Sequence, residues 1–468
     1  MLRRTVTVMP NTSNRTDRSL ASQLLVDRYR CDEDIASFVP INQMPEKQGF
    51  FRFGDETICY GQYAGGETHA SIDGRLHDAL DHVVVGDSCV SLPFDPQQVI
   101  DNLRAERYPR SGNGLRHLPG GQLLRSTYYA VRPLMPVGVR KHLQKLYFRG
   151  WQQIPFPQWP VDSTVEAIHE RLLMLALKAR RGQRIPFIWF WPKGALSCTI
   201  VTHDVETTVG KDTCVDLMEL DESFSIKSSF QVVPEKRYSL SQKFLAQIRD
   251  RGFELNVHDL NHDGHLFRDK TEFMRRAVLI NQYARSFGAA GFRSAVMYRN
   301  IDWFHALDVT YDMSVPNVSH LDPQQGGCCT VMPFFIGNIV ELPVTMTQDY
   351  TLFHILGQYS TDLWLEQSRR IRDKHGLLSV IVHPDYIQTH EEVRVYRDLL
   401  AHFAELRSAG QTWIALPREV ASWWRKRSEL TLVRRGKSWS IDGEGKEHAT
   451  LAFAVLDGDS LRYELDSE

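Results

Sequence analysis

Ser197-Cys198-Thr199-Ile200-Val201-Thr202-His203-Asp204-Val205-Glu206 is the stretch on which the fold turns. Its first six residues, Ser197–Thr202, have the β-branched and apolar content of a strand. Two carboxylates, Asp204 and Glu206, follow just past the strand's end. The same texture repeats downstream, with strand candidates at Ser228–Val233, Phe253–Val257, Gly291–Arg293, Tyr311–Val315, Val340–Thr345, Leu378–Val382 and Thr412–Leu416. Helical stripes lie between them. Phe273, Ala277, Ile280, Ala284 and Phe287 recur at helical spacing, as do Val393, Tyr396, Leu400 and Phe403. Strands alternating with helices over 191–428 predict a parallel α/β domain, either an open sheet or a barrel. No G-x-G-x-x-G or Walker loop supports a nucleotide-binding open sheet.

Towards the amino terminus, Ser163 and Glu166 have capping-box spacing, and Val165, Ile168, Leu172, Leu175 and Ala179 share one helical face. This helix belongs to a linker and helical connection over 111–190. Residues 22–110 are expected to form a small β or α+β domain. Within it Phe50–Phe53 and Thr57–Tyr60 flank a Gly54-Asp55-Glu56 turn, and Val83–Val85 and Cys89–Leu92 are further strand candidates. Residues 1–21, rich in Thr, Ser, Asn and Arg, read as a disordered leader. The short strands and Gly-Asp turns of 429–468 read as a small β tail. Asn317–Asn338 has no periodicity, and a loop of that length is expected to be a lid over the site.

A chain of 468 residues exceeds one ordinary hydrophobic core, so more than one domain is expected. With 42% hydrophobic and 24% charged residues it has the composition of a soluble globular protein. The 55 Lys and Arg balance 57 Asp and Glu, which excludes the basic excess of a nucleic-acid partner. The 7 cysteines form no CxxC pair, so neither a disulfide framework nor a thiolate zinc knuckle is expected. The amino terminus has no signal-type apolar run, and no stretch approaches the roughly 18 apolar residues of a transmembrane segment. The expected address is the cytoplasm. Val139–Trp151 interleaves Arg140, Lys141, Lys145 and Arg149 with apolar residues. A surface helix docked on its own domain is the expectation there, and peripheral contact with an anionic membrane is the alternative.

The charged residues cluster at strand ends. Asp204 and Glu206 follow Ser197–Thr202, His258 and His262 follow Phe253–Val257, Arg293 closes Gly291–Arg293, and His383 follows Leu378–Val382. In a barrel the carboxyl ends of strands converge on one mouth. His258 and His262 are spaced so that one helical turn brings both rings to one side. Neutral imidazole binds zinc and similar divalent ions, and Glu206 would complete three protein ligands with one position open, the pattern of a catalytic site. His203 and His265 are expected to be supporting or surface residues. Asp312 is a candidate for orienting the His383 ring, with a turn cap as its alternative. Tyr386 is a candidate contact at the mouth.

These motifs together resemble the polysaccharide deacetylase (NodB-type) family of metal-dependent carbohydrate esterases. The acidic first motif matches Thr202-His203-Asp204-Val205-Glu206, and the His-x-x-x-His motif matches His258-Asp259-Leu260-Asn261-His262. The arginine motif matches Gly291-Phe292-Arg293-Ser294, and the last, with an apolar residue two before histidine, matches Ile381-Val382-His383. The resemblance implies an α/β fold, a distorted (β/α) barrel of the NodB type. It further implies that Glu206, His258 and His262 hold one divalent metal ion, zinc by expectation. Asp204 would be the base that activates water, Arg293 would orient Asp204, and His383 would protonate the departing amine. Two departures stand out: Ala295 occupies the place of a family proline, and the second acidic residue is Glu. The lack of an export signal implies an intracellular, carrier-linked substrate.

The function expected is removal of an N-acetyl group from an amino sugar or glycan intermediate in surface-polysaccharide biosynthesis. Two rivals are a hydrolase of a non-sugar amide, such as a formyl amide or cyclic imide, and a catalytically inactive barrel that binds a glycan or partner. Oligomeric state is not legible.

Overall fold

The computed structural model describes residues 20–32, 35–72, 74–110, 148–436 and 438–466. The expected leader lies outside these residues except at its end, where helix α1 (Leu20–Tyr29) begins. The basic stretch Val139–Trp151 lies outside them up to residue 147.

The amino-terminal segment holds β1 (Ser37–Pro40), β2 (Gln48–Arg52), β3 (Ile58–Gln62), β4 (Val84–Gly86), β5 (Cys89–Leu92) and helix α2 (Pro96–Arg104). β2 and β3 form the expected antiparallel hairpin, and β5 lies between β4, antiparallel, and β1, parallel. Helix α3 (Thr164–Ala179) buries the whole expected stripe and Leu173, Ala176 and Leu177 besides, because it lies in the core shared with this segment. The expected capping box is absent. Ser163 makes no side-chain cap; Asp162 Oδ1 accepts from Thr164 N at 2.9 Å instead. Glu166 turns away from the helix end and accepts from Thr330 Oγ1 at 2.5 Å and Val331 N at 3.2 Å.

The main sheet comprises β7 (Cys198–Val205), β8 (Ser229–Val232), β9 (Glu254–His258), β10 (Gly291–Arg293), β11 (Tyr311–Asp312), β12 (Phe334–Ile336), β13 (Ile339–Glu341), β14 (Leu377–Ile381) and β15 (Trp413–Ile414). Its order is β12-β13-β11-β10-β9-β8-β7-β14, with β15 on the opening residues of β7. All its pairings are parallel except the short β12–β13 hairpin. After β13 the chain returns to β14, where Thr345 N and Met346 N both donate to Ser379 O, at 3.3 and 3.1 Å. The sheet therefore curls towards closure, as the barrel reading expected, with the inner ends of its strands facing one another.

Helices α4 (Thr208–Ser223), α5 (Gln242–Asp250), α6 (Lys270–Phe287), α7 (Asp362–Arg372), α8 (His390–Ser408) and α9 (Pro417–Glu429) alternate with the strands. In α6, Asp269 caps the start by accepting from Glu272 N, and Gly288 ends it in the left-handed conformation at φ 62°. Its expected stripe is buried throughout, and each such Phe or Ile side chain stabilises by roughly 1.5–3 kcal/mol. In α8 the buried face is rotated slightly from expectation: Val395 and Leu399 are buried, whereas Val393 is half-buried.

The tail joins the rest of the fold through a sheet. β6 (Ile185–Ile188) pairs with β18 (Leu451–Asp457), which pairs with β19 (Ser460–Leu465). A separate hairpin joins β16 (Thr431–Arg435) and β17 (Ser438–Asp442). β6 falls in the stretch read as linker because Pro186 interrupts it; on an edge strand the missing N–H is tolerated. Among the described residues no helix is long and apolar enough to cross a membrane.

Candidate metal centre

β7 is buried at every position, polar residues included, so each polar group needs a partner. Thr202 Oγ1 donates to Val380 O at 2.9 Å. His203 points outward, its ring nitrogens 2.9 Å from Val382 O and 3.0 Å from Asp221 Oδ2. Asp204 points inward, where Arg293 Nη1 donates to its Oδ1 at 2.8 Å and to Thr202 Oγ1 at 2.8 Å. The parallel register sets Arg293 of β10 opposite His258 of β9, one layer above Asp204.

From that position His258 Nδ1 donates to the Arg293 carbonyl at 3.1 Å, which turns Nε2 towards the carboxylates. Nε2 lies 3.7 Å from Asp204 Oδ2 and 3.8 Å from Glu206 Oε1. His262 Nε2 lies 2.9 Å from the same Glu206 oxygen. Both histidine Nε2 atoms are buried, and neither is aligned for a full hydrogen bond, His262 included despite that short distance. Among the described residues, the ligand atoms of Glu206, His258 and His262 all fall within 4.8 Å of one another. An N, N, O donor set converging from two imidazoles and a carboxylate fits a divalent ion of the zinc class.

The two histidines are not joined by a helical turn. Residues 259–263 form bends, with Asp259 at φ 56° and His262 at φ 53°, both left-handed. Those two reversals bring the rings together, centroids 4.8 Å apart. Val296 and Met297, just past Arg293, are also left-handed at φ 59° and 55°. Non-glycine residues held there cost of order 1–2 kcal/mol each and gather at functional sites. Ala295 donates its N–H to Asp259 Oδ2 at 3.4 Å, a bond that a proline at this position would lack.

His383 Nε2 faces the cluster, 3.5 Å from Glu206 Oε1. Its partner is not Asp312 but Asp349, whose Oδ1 is 2.6 Å from Nδ1 while Oδ2 accepts from His383 N at 2.7 Å. Asp312 lies deeper in the sheet and accepts from Ser314 N and Oγ at 2.7 and 2.8 Å. Asp349 follows the crossing at 345–346; its one sequence signal is that it is an acid four residues past the strand candidate Val340–Thr345. The Tyr386 ring sits 5.1 Å from the His383 ring. His265 is exposed, 3.7 Å from Asp263.

Burial alone would raise the Asp204 carboxyl, but Arg293 and the imidazoles of His258 and His383 outweigh it and hold the group below its ordinary range. Glu206, likewise opposed by burial, is held well below its range by His262 and the neighbouring rings. Burial would lower His383, yet Asp349 and Glu206 raise it well above an ordinary histidine. The centre is thus a set of ionised carboxylates beside a protonated imidazole. Glu206 is its most open member, with 19% of its side chain exposed.

A small cavity of about 30 Å³ has Trp159, Met297, Asp322, Gln348 and Ile381 among its walls. Val318, Leu321 and Asp322 of the expected lid line it too, but the segment is a packed wall. Asn317 Oδ1 accepts from Asp162 N and Asn317 Nδ2 donates to Asp162 O, Glu166 holds Thr330 and Val331, and Leu377 N donates to Val331 O. Cys328 and Cys329 are fully buried within it.

No family model matches the sequence, and no curated protein matches it. Among solved structures, a Mycobacterium smegmatis protein described as a polysaccharide deacetylase is similar at a TM-score of 0.40 and 16% identity, over 51% of this chain and 93% of that one. Puue allantoinase is similar at 0.39 and 12%, over 50% and 92%. The peptidoglycan deacetylase PdaC from Bacillus subtilis is similar at 0.32 and 9%, over 50% and 93%. Over about half its length, and at low identity, the chain is similar to solved polysaccharide and peptidoglycan deacetylases.

Proposed function

We propose that this chain is a metal-dependent hydrolase that removes the N-acetyl group from an amino sugar, as part of a glycan intermediate of surface-polysaccharide biosynthesis. One observation carries the reading. Asp204, Glu206, His258, His262 and the Asp349–His383 pair, from separate strands and loops, meet with base, ligands and acid in mutual reach.

Glu206, His258 and His262 would hold the divalent ion. When bound, it supplies positive charge for the scissile carbonyl oxygen and lowers the pKa of water. Asp204 Oδ1 is committed to Arg293, so Oδ2, which faces His258, is the oxygen free to take a proton from the attacking water. The ionised state of Asp204 suits that task. As the water oxygen bonds to the acetyl carbon and the C–N bond breaks, His383 Nε2 gives its proton to the leaving nitrogen. The products are acetate and a free amine. Asp349 keeps His383 protonated and aimed at the cluster.

The test is acetate release from N-acetylhexosamine oligosaccharides by the zinc-loaded protein, beside Asp204→Asn. We expect turnover in the wild type and its loss in Asp204→Asn with metal retained. Hydrolysis of small amides alone, or none by either protein, overturns the reading.

A further inference from the structure

We propose that Asp312 and Glu341 form a buried carboxyl pair sharing one proton, and that this pair positions Arg293 and, through it, both Asp204 and His258. The inference rests on the reading of Asp204 as base and His258 as ligand.

β11 and β13 set Asp312 opposite Glu341 in parallel register. Both side chains are fully buried, paired in register on neighbouring strands, and close enough for each to bear on the other's ionisation. Two carboxylates so placed cannot both be ionised without strong repulsion, so one proton lies between them. Their other bonds say which residue carries it. Asp312 accepts from Ser314 N at 2.7 Å and Ser314 Oγ at 2.8 Å. Glu341 accepts only from Val315 N, at 3.0 Å, and its Oε2 accepts from no donor. Asp312 is the better-stabilised anion and Glu341 the neutral acid that donates to it. Burial and then the charge of Asp312 push Glu341 well above its ordinary range, in the same direction. Arg293 is the cation facing the pair, and the Cys328 thiol is a further titratable group facing Glu341.

From this pair two anchors reach the end of β10. Ser314 Oγ, held by Asp312, accepts from Ser294 N at 2.8 Å. Arg293 Nε donates to Met313 O at 3.0 Å. Arg293 then serves the centre twice: its Nη1 holds Asp204, and its carbonyl fixes the His258 ring. A single negative charge behind Arg293 leaves the guanidinium to Asp204, whereas a second would compete for it. Neither acid touches the cavity or the ligand atoms, so both are positioning residues.

The test compares Glu341→Gln with Glu341→Leu. Glutamine keeps a neutral donor towards Asp312; leucine removes it. In the infrared spectrum at neutral pH, we expect wild type to show the carbonyl stretch of a protonated carboxylic acid, absent from Glu341→Gln. Zinc binding to the metal-free protein and kcat should stay near wild type in Glu341→Gln. In Glu341→Leu both should fall by about 10–100-fold, as for groups that orient metal ligands. No lost band in Glu341→Gln, or a zinc-binding loss as large in Gln as in Leu, overturns the proposal. The band and the zinc affinity are read without turnover, so failure of the deacetylase reading leaves them decisive. The Glu341→Gln band also decides where Glu341→Leu fails to fold.

Discussion

Asp349 grips His383 at two points, its Oδ1 2.6 Å from the ring Nδ1 and its Oδ2 accepting from the His383 main-chain N at 2.7 Å. The double contact fixes both the ring's orientation and its proton. Burial opposes the charge on His383, but Asp349 and Glu206 raise its pKa well above the ordinary value. The acid needed by a leaving amine is therefore retained to higher pH.

Asp349→Asn removes the larger raising partner, so the His383 pKa falls and the proton is lost at lower pH. We expect the basic limb of the kcat profile to move towards lower pH, and kcat to drop by about 10²-fold or more. Metal content should be unchanged. A basic limb that stays in place removes His383 from the role of acid.

Glu166 ties helix α3 to the packed wall at Thr330 and Val331. Glu166→Ala leaves a buried hydroxyl and a buried N–H without acceptors, each costing about 1–3 kcal/mol. Urea denaturation should show that loss, and a much smaller one for Glu166→Gln. Burial, only partly offset by Arg28, raises the carboxyl above its usual range. The folded protein thus binds this proton more tightly than the unfolded chain. Relative to Glu166→Gln, wild type should lose stability as pH rises from below the ordinary carboxyl range through the raised folded value. A wild type that instead gains stability over Glu166→Gln as pH rises through that range contradicts the assignment.

Arg427 of α9 is buried and donates to Trp189 O at 2.8 Å, Ile188 O at 2.6 Å and Arg28 O at 3.1 Å. It joins α1, β6 and the carboxy-terminal helix at one point. Arg427→Leu should cost about 1–3 kcal/mol for each carbonyl left unpaired. Tryptophan fluorescence and far-ultraviolet circular dichroism should still report one shared transition at the lower midpoint. Separate transitions would mean that the amino-terminal segment and the tail fold apart from the sheet.

Much of this arrangement was legible from sequence. The strands from Cys198–Val205 to Trp413–Ile414 fall within a few residues of expectation, because parallel strands buried on both faces are continuous β-branched and apolar runs. The six charged residues singled out at strand ends share one centre for the same reason. What was missed depends on distant contacts or on backbone without periodicity. Asp349 opens a short helical turn that runs into Thr351–Leu356, and only the folded chain brings it to His383. The left-handed Asp259 and His262 leave no mark in residue type. Glu166 has the spacing of a cap, yet acceptor-seeking groups at Thr330 and Val331 compete for it. The short β12, at 334–336, lies in the stretch read as a lid.

The central claim is that Glu206, His258 and His262 bind one ion together, and metal analysis tests it most directly. Wild type, His258→Ala and Glu206→Ala would be stripped, exposed to zinc, freed of excess ion and assayed for metal per chain. We expect stoichiometric zinc in wild type and its loss from both variants, with folding unchanged by circular dichroism. Wild type without stoichiometric metal, or variants that retain it equally, would contradict the account.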